Sequence, residues 1–513
     1  MKKLVLSTFF FALTFTLTAQ ISSRQIDSVS EKVLKAFDVP GIAVAVIKDG
    51  KVIHQKGYGV TSLKTGEKVN EHTRFAIASN SKAFTSAALA ILIDQGKLKW
   101  TTLVRDIIPE FKLYAPFVTE NFLIEDLLTH RSGLGLGAGD LMFWPGRPKF
   151  SKADIIHNLR YLKPVSQFRT KYDYDNLLYM VAGEVVERIA GISWEEFVEK
   201  NIFSPLGMNE SAGAYERLKS LDNIIDPHVP INGVVQAVER ELNGNLNAAG
   251  GIYSSVYDMS KWAITQLNGG KYGTNNQLFS PARQAEMWNI HTVTQPNPSG
   301  PYKTNFSGYG LGWGLSDENG HKVATHTGGL LGIVTQVTLI PDLKLGIIVF
   351  TNQQSGAAFY TVTNTIKDAY YGVEKRDWIQ IYQNRLKASE KNAKEITDKI
   401  ENEIKTASTG VQPEISKFAG NYTDPWFGKI TISQRGNQLY FQAEKSPKLY
   451  GPMYYYKGNN FVVRWEDRSL DADAFVNFGL DFEGIPDKIT MEAISPLTDF
   501  SFDFQDLNFS RIK

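Results

Sequence analysis

Residues 41–60, GIAVAVIKDGKVIHQKGYGV, alternate apolar and polar side chains on either side of Asp49-Gly50, a strong two-residue turn signal. They predict a β-hairpin near the start of the chain. Strand patterning returns in force at residues 322–352, KVATHTGGLLGIVTQVTLIPDLKLGIIVFTN. There, three runs are separated by expected turns at Gly328-Gly329 and Pro341-Asp342. The sequence between is mainly helical. A helix is predicted from about Ser81 to Gln95, with Gly96 as its stop, and another over residues 176–190, NLLYMVAGEVVERIA. A further helix and turn follow in ISWEEFVEKNIFSPLGM. Strands early and late with helices between do not make βαβ units. They predict an antiparallel sheet assembled from both ends of the segment, flanked by helices and interrupted by an all-helical region.

The character changes near residue 376. NRLKASEKNAKEITDKIENEIK is charged and helical with little apolar face, as expected of a solvated linker helix. After Pro413 short alternating runs such as KITISQRGNQLYFQA and NNFVVRWED predict a small all-β, barrel-like domain. The chain of 513 residues is too long for one compact core. The expected organisation is α+β followed by all-β: 1–20 leader, 21–375 main domain, 376–412 helical linker, 413–513 β-rich tail.

The first twenty residues, MKKLVLSTFFFALTFTLTAQ, have a basic start and an apolar run ending near Ala19 or Gln20. This is the pattern of a cleaved secretory signal, short of the about 20 apolar residues of a membrane span. The mature chain is expected to be exported, to the periplasm or beyond, with no stable membrane insertion. Fifty-five basic and 54 acidic residues leave a net charge of +1, without a polybasic patch, so nucleic acid is not an expected partner. Cysteine is absent, which removes disulfides, thiol nucleophiles, cysteine-ligated metals and a lipid-modified cysteine.

Within FAIASNSKAF, residues 75–84, Ser79 precedes Lys82 by three positions. On a helix these side chains share a face. A serine at a helix start also lies beside unpaired N–H groups and the positive end of the dipole. Burial and that dipole lower a lysine pKa, so the amine can help remove the serine proton. The spacing alone is weak, since Ser510 and Lys513 repeat it at the C-terminus. Context strengthens it: AFTSAALAILI is apolar on every side, as in a buried helix.

Two further elements carry chemistry. Tyr174-Asp175-Asn176 precedes a helix. A phenol can shuttle protons where neighbouring cations lower its pKa, and an asparagine amide can hold a substrate carbonyl. Against this stands a core tyrosine with Asn176 as helix cap. His326-Thr327-Gly328-Gly329 enters a strand, where glycines let a substrate backbone approach and the Gly329 N–H can serve an oxyanion. Against this stands an ordinary hairpin turn.

Taken together, Ser79-x-x-Lys82, Tyr174-x-Asn176 and His326-Thr327-Gly328 resemble the serine β-lactamase and penicillin-binding-protein superfamily. The likeness is to its class C-like branch of D-aminopeptidases, carboxypeptidases and esterases. LLTHRSGL, PLGM, AAGGIYSS and GYGLGWGL are similar to stretches common in that branch, and the resemblance covers roughly residues 24–372. The tail resembles, more weakly, a lipocalin-like domain appended to some of these hydrolases. The resemblance implies that Ser79 attacks a carbonyl to form an acyl-enzyme. Lys82 and Tyr174 exchange protons with it and with the leaving group, either one being the base. The N–H groups of Ser79 and Gly329 form the oxyanion hole. Asn176, His326, Thr327, Gly328 and Gly329 contact substrate. No cofactor or metal is implied.

One departure matters. His326 stands where many relatives carry a lysine that grips a substrate carboxylate. A largely neutral histidine grips it less, which argues against β-lactam turnover as the main role. His130 in THRSGL is read as structural. No Gly-x-Ser-x-Gly elbow and no His-Glu-x-x-His occurs. The first expectation is therefore a peptidase on small or D-amino-acid peptides, then an esterase, then a β-lactamase. A catalytically silent binder of peptidoglycan-like peptides is the alternative from another class. A third reading makes the aromatic tail, with Tyr454-Tyr455-Tyr456 and Trp465, a sugar- or lipid-binding module. The partner is thus a small-molecule or short-peptide substrate, with a homo-oligomer left open.

Overall fold

The structure, a computed structural model, describes residues 21–240 and 243–512. The expected leader lies outside the described residues. After α1 (Ser23–Ala36) the chain forms the hairpin β1 (Gly41–Lys48) and β2 (Lys51–Gly59). Its turn is at Asp49-Gly50, both with positive φ, as a tight twisted hairpin requires. The sheet is completed by β3 (Thr292–Thr294), β4 (Ser307–Tyr309), β5 (Gly314–Glu318), β6 (His321–Leu330), β7 (Ile333–Ile340) and β8 (Leu345–Thr351). These eight strands are antiparallel, in the order β2-β1-β8-β7-β6-β5-β4-β3. The early hairpin therefore joins the late strands directly, Val44 opposite Val349 and Val46 opposite Ile347.

Alternation along β1 divides its side chains between two layers. Ile42, Val44 and Val46 pack with α1 and α5 (Gly356–Tyr371) on one face. Ala43, Ala45 and Ile47 pack on the other with the helical region, including α2 (Ser81–Asp94), α3 (Leu177–Ala190) and α4 (Val256–Leu267). Every residue of α2 from Ser81 to Leu92 is buried. Phe84 stacks on Trp262 at 4.1 Å and meets Phe203 edge-on at 5.6 Å. Truncating such a side chain to alanine costs about 3–5 kcal/mol.

The glycine pair at 328–329 is not a turn. β6 runs straight through it, and the chain reverses at Leu331-Gly332, where Gly332 takes positive φ. The reversal at Pro341-Asp342 is present as a single 3-10 turn.

The charged segment is one long helix, α6 (Trp378–Thr409). It is less solvated than its charge suggests. Trp378 is buried and donates to Asp368 at 2.8 Å, and Ile400 and Ile404 pack on Val462, Tyr454 and Tyr456 of the tail. The tail is a closed eight-stranded barrel from Gly420–Asp424 to Asn508–Arg511. Its interior holds Phe441, Phe461, Phe478, Trp465 and Phe509, all buried. The barrel is docked on the main domain. Phe427 meets Phe150 at 6.2 Å, and the Trp426 carbonyl accepts from the Asn158 amide at 2.7 Å. No described helix is long and apolar enough to cross a membrane.

Candidate active site

Ser79 sits in a 3-10 turn, Ala78–Asn80, that feeds directly into α2. From Phe75 to Leu92 it is the one residue that is not buried. The turn is tightly fastened. Ala78 takes φ +48°. The Ile77 carbonyl accepts from the Thr335 hydroxyl at 2.8 Å, and the Asn80 amide donates to the same hydroxyl at 2.8 Å. A strained residue clamped just before a half-buried serine that borders the cleft is the pattern expected at a functional turn.

Gly328 explains how closely β6 approaches this turn. A Cβ there would lie 2.4 Å from the Ile77 carbonyl oxygen and 2.9 Å from the Ala78 Cβ. Its small size makes room for the serine turn, not for a substrate backbone as the sequence reading had it. Gly329 is the open position, with nothing within 4 Å of an added Cβ. Pairing of β6 with β5 ends at Thr325, while pairing with β7 continues to Leu330. The edge from His326 to Leu330 thus has no strand partner on the cleft side among the described residues. Thr327 and Gly329 line the cleft along that edge.

Lys82 is fully buried, so it does not snorkel to solvent. Its Nζ lies 3.0 Å from Ser79 Oγ and donates to Asn176 Oδ1 at 2.7 Å and to the Ala249 carbonyl at 3.0 Å. Burial drives its pKa down to about 7, against the opposing pull of Asp140 and Asp175. Its Nζ also stands 4.8 Å from the Tyr174 ring centroid.

Tyr174 joins the same cluster but with the opposite electrostatics to those expected. Burial pushes its phenol well above the ordinary range, and interaction with Ser79 only partly offsets this. It is a neutral O–H at physiological pH. His130 packs 4.2 Å from its ring and accepts from the Asp175 N–H at 3.1 Å. Burial and Lys82 hold His130 neutral.

Asn176 precedes α3 without capping it; Asp175 accepts from the Leu178 N–H instead. The Asn176 carbonyl faces Lys82, and its amide donates to Asp140 Oδ2 at 2.8 Å. The side chain thus bridges Lys82 and Asp140 while lining the cleft. His326 is buried. The Thr327 carbonyl can only accept, so Nδ1 carries the hydrogen at 2.6 Å. Nε2 then accepts from the Tyr309 hydroxyl at 2.8 Å. Burial, with Lys82 nearby, lowers the His326 pKa to about 3, so it supplies no cation.

These residues open onto a cleft of about 650 Å³. Aromatic side chains, among them Trp144, Tyr172 and Tyr309, form much of its wall, and among the described residues no lysine or arginine lines it. One wall comes from the tail: Asp471, Leu497, Asp499, Phe500, Ser501 and Phe502. Phe500 meets the Tyr174 ring edge-on at 5.8 Å. Sequence reasoning did not find Asp140, the Ala249 carbonyl or Tyr309. AAGGIYSS and GYGLGWGL had marked two of them as motif stretches. Among the described residues, no group of three or more histidine or acidic side chains is placed to hold a metal ion.

The family model for Beta-lactamase matches residues 26–370, and one for a domain of unknown function, DUF3471, matches residues 405–511. The unguisins hydrolase ungD' of Aspergillus campestris is 28% identical over 447 residues, 82% of this chain and 79% of that protein. Protein flp of Staphylococcus aureus is 25% identical over 341 residues, 65% of this chain and 64% of its own length. Among solved structures, the octameric penicillin-binding protein homologue from Pyrococcus abyssi superposes with a TM-score of 0.62 at 20% identity. That match covers 93% of this chain and 99% of the homologue.

Proposed function

The chain belongs to the beta-lactamase family of serine hydrolases, and from that premise we propose that it is an exported peptidase. It acts on small or D-amino-acid peptides through an acyl-Ser79 intermediate. The observation that carries the reading is the geometry at Lys82. A neutral amine has two hydrogens and one lone pair. The Asn176 and Ala249 carbonyls take the hydrogens, which leaves the lone pair for the Ser79 hydroxyl.

In this reading Lys82 accepts the Ser79 proton as Oγ attacks the substrate carbonyl. The N–H groups of Ser79 and Gly329 hold the developing oxyanion; losing one such donor costs about 10²–10³ in rate. Tyr174, held as a neutral phenol, donates its proton to the leaving amine and is reprotonated from Lys82. Water then attacks the acyl-enzyme by the reverse proton path and frees Ser79.

The cleft also supports a substrate charge. Asp471 and Asp499 face it, though burial raises both carboxyls, and among the described residues no lysine or arginine lines it, so a peptide presenting a free amine is favoured over one presenting a carboxylate. Absence of a charged His326 points the same way.

The test is intact-mass measurement after fluorophosphonate treatment, with Ser79→Ala as control, followed by a panel of D- and L-aminoacyl anilides, short esters and nitrocefin. One adduct on Ser79 and preferred turnover of anilides with a free amine are expected. No adduct under any condition favours a silent binder. Turnover of esters or nitrocefin alone removes the peptidase assignment.

A further inference from the structure

Asp140 is a fully buried carboxyl that the proton path above does not use. It lies on a single turn, Asp140–Met142, in the glycine-rich stretch after THRSGL. Its Oδ2 accepts from two side chains: the Asn176 amide at 2.8 Å and the Ser501 hydroxyl at 2.8 Å. Its Oδ1 has no hydrogen-bond partner among the described residues. Asn176 in turn presents its carbonyl to Lys82. An amide side chain can flip, but here its two ends are told apart, with a carboxyl on the nitrogen and an amine on the oxygen. Asp140 therefore decides which end of Asn176 meets Lys82.

Ser501 belongs to the tail, and the tail is held against both sides of Asp140. Asp503, also fully buried, accepts from the Gly139 N–H at 2.5 Å and the Leu141 N–H at 3.2 Å. Gly137, at φ +68°, lets the tail come closer still: a Cβ there would lie 2.6 Å from the Phe500 carbonyl oxygen. A continuous path of hydrogen bonds thus runs from the barrel to the nucleophile: Ser501, Asp140, Asn176, Lys82, Ser79.

We propose that Asp140 and Ser501 are positioning residues for Lys82, acting through the Asn176 amide, so that the lysine is set for proton transfer only with the tail loop in place. The barrel is then part of the catalytic centre and not only a wall of the cleft. The inference rests on the acyl-Ser79 reading for its kinetic consequence, but not for its geometry.

The test uses the full chain with Ser501→Ala, Ser501→Thr and Asp140→Ala. Two readouts are taken: the rate of fluorophosphonate labelling of Ser79, and the titration midpoint of Lys82 in protein labelled with ¹³C at lysine Cε, assigned by its absence in Lys82→Ala. The titratable groups facing Lys82 are Asp140, Asp175, His130, His326, Tyr174 and Tyr179. Asp140 is itself faced by Asp175 and Asp503. Burial raises the Asp140 carboxyl well above its ordinary range, while the Asn176 and Ser501 hydrogen bonds favour its ionised form, which in turn favours charged Lys82. Removing the hydroxyl therefore moves the Lys82 midpoint to lower pH.

Ser501→Ala is expected to slow labelling about 10-fold and to shift that midpoint, with Ser501→Thr restoring both. Asp140→Ala is expected to slow labelling further. If Asp140→Ala fails to fold, Ser501→Ala decides alone. An unmoved midpoint in Ser501→Ala overturns the proposal, whatever happens to labelling, because a slower label alone assigns Ser501 to the cleft wall. A moved midpoint in a protein that never labels sinks the acyl-Ser79 reading and leaves this one standing.

Discussion

Replacing Gly328 by alanine tests whether the serine turn is held in place by the sheet. The new Cβ would sit 2.4 Å from the Ile77 carbonyl oxygen, 2.5 Å from Thr335 Oγ1 and 2.9 Å from the Ala78 Cβ. Packed interiors do not tolerate such contacts, so the Ile77–Ala78 peptide has to retreat by about 0.6–1 Å. Thr335 cannot turn aside freely, since its hydroxyl is shared between Ile77 and Asn80. The displacement falls on the residue before Ser79, which already carries positive φ. Misplacing a nucleophile by about 1 Å costs about 100-fold in rate. Overpacking of this kind costs about 1–3 kcal/mol, enough to lower the melting temperature without unfolding the chain. The assay is kcat and KM on whichever anilide or ester turns over, beside a thermal melt. The expected result is kcat down about 100-fold with KM nearly unchanged and a melt lowered by a few degrees. Wild-type kcat in a folded Gly328→Ala protein refutes the account of the turn.

Three further outcomes are expected. Because only the neutral amine has a lone pair, kcat/KM falls about tenfold per pH unit below the Lys82 pKa of about 7 and levels off above it; a profile flat from pH 5 to 8 contradicts Lys82 as base. Tyr174→Phe removes the proton for the leaving group, so anilide kcat drops about 10²–10⁴-fold while esters with good leaving groups lose less; equal losses on both count against its role as donor. His326→Lys places a second cation beside Lys82, so the acid limb of the profile moves below pH 7, and substrates bearing a carboxylate gain in KM relative to those bearing an amine; an unmoved limb shows that position 326 does not feel Lys82.

Local signals carried the features that could be read in the sequence. The hairpin at 41–60 was legible because both its alternation and its Asp-Gly turn are contained in twenty residues. Ser79 and Lys82 were legible because their spacing is one helical turn. The glycine pair at 328–329 misled for a physical reason. A glycine selected by a neighbour in space looks the same in sequence as one selected by its own φ: Gly328 is of the first kind, and of these three glycines Gly332 alone takes positive φ. Tyr174 misled on the sign of its pKa, because the desolvation that raises it depends on the packing of His130, His326 and Phe500 from three distant segments. Ala249 contributes a backbone carbonyl, which no side-chain identity announces. Ser501 and Asp503 gave no signal, since their partners lie 361 to 364 residues earlier in the chain.

The pairing of β1 with β8 has a consequence for how the chain is made. A strand ending at Lys48 has, on one side, a partner that ends at Thr351. At about 5–20 residues per second, translation leaves that edge waiting roughly 15–60 s before its mate is synthesised. Loop closure over such a span is slow, so the nascent polypeptide stays open long after its first hairpin is complete. Until then the β1 edge stands without its second partner, an open row of N–H and C=O groups of the kind that invites mispairing.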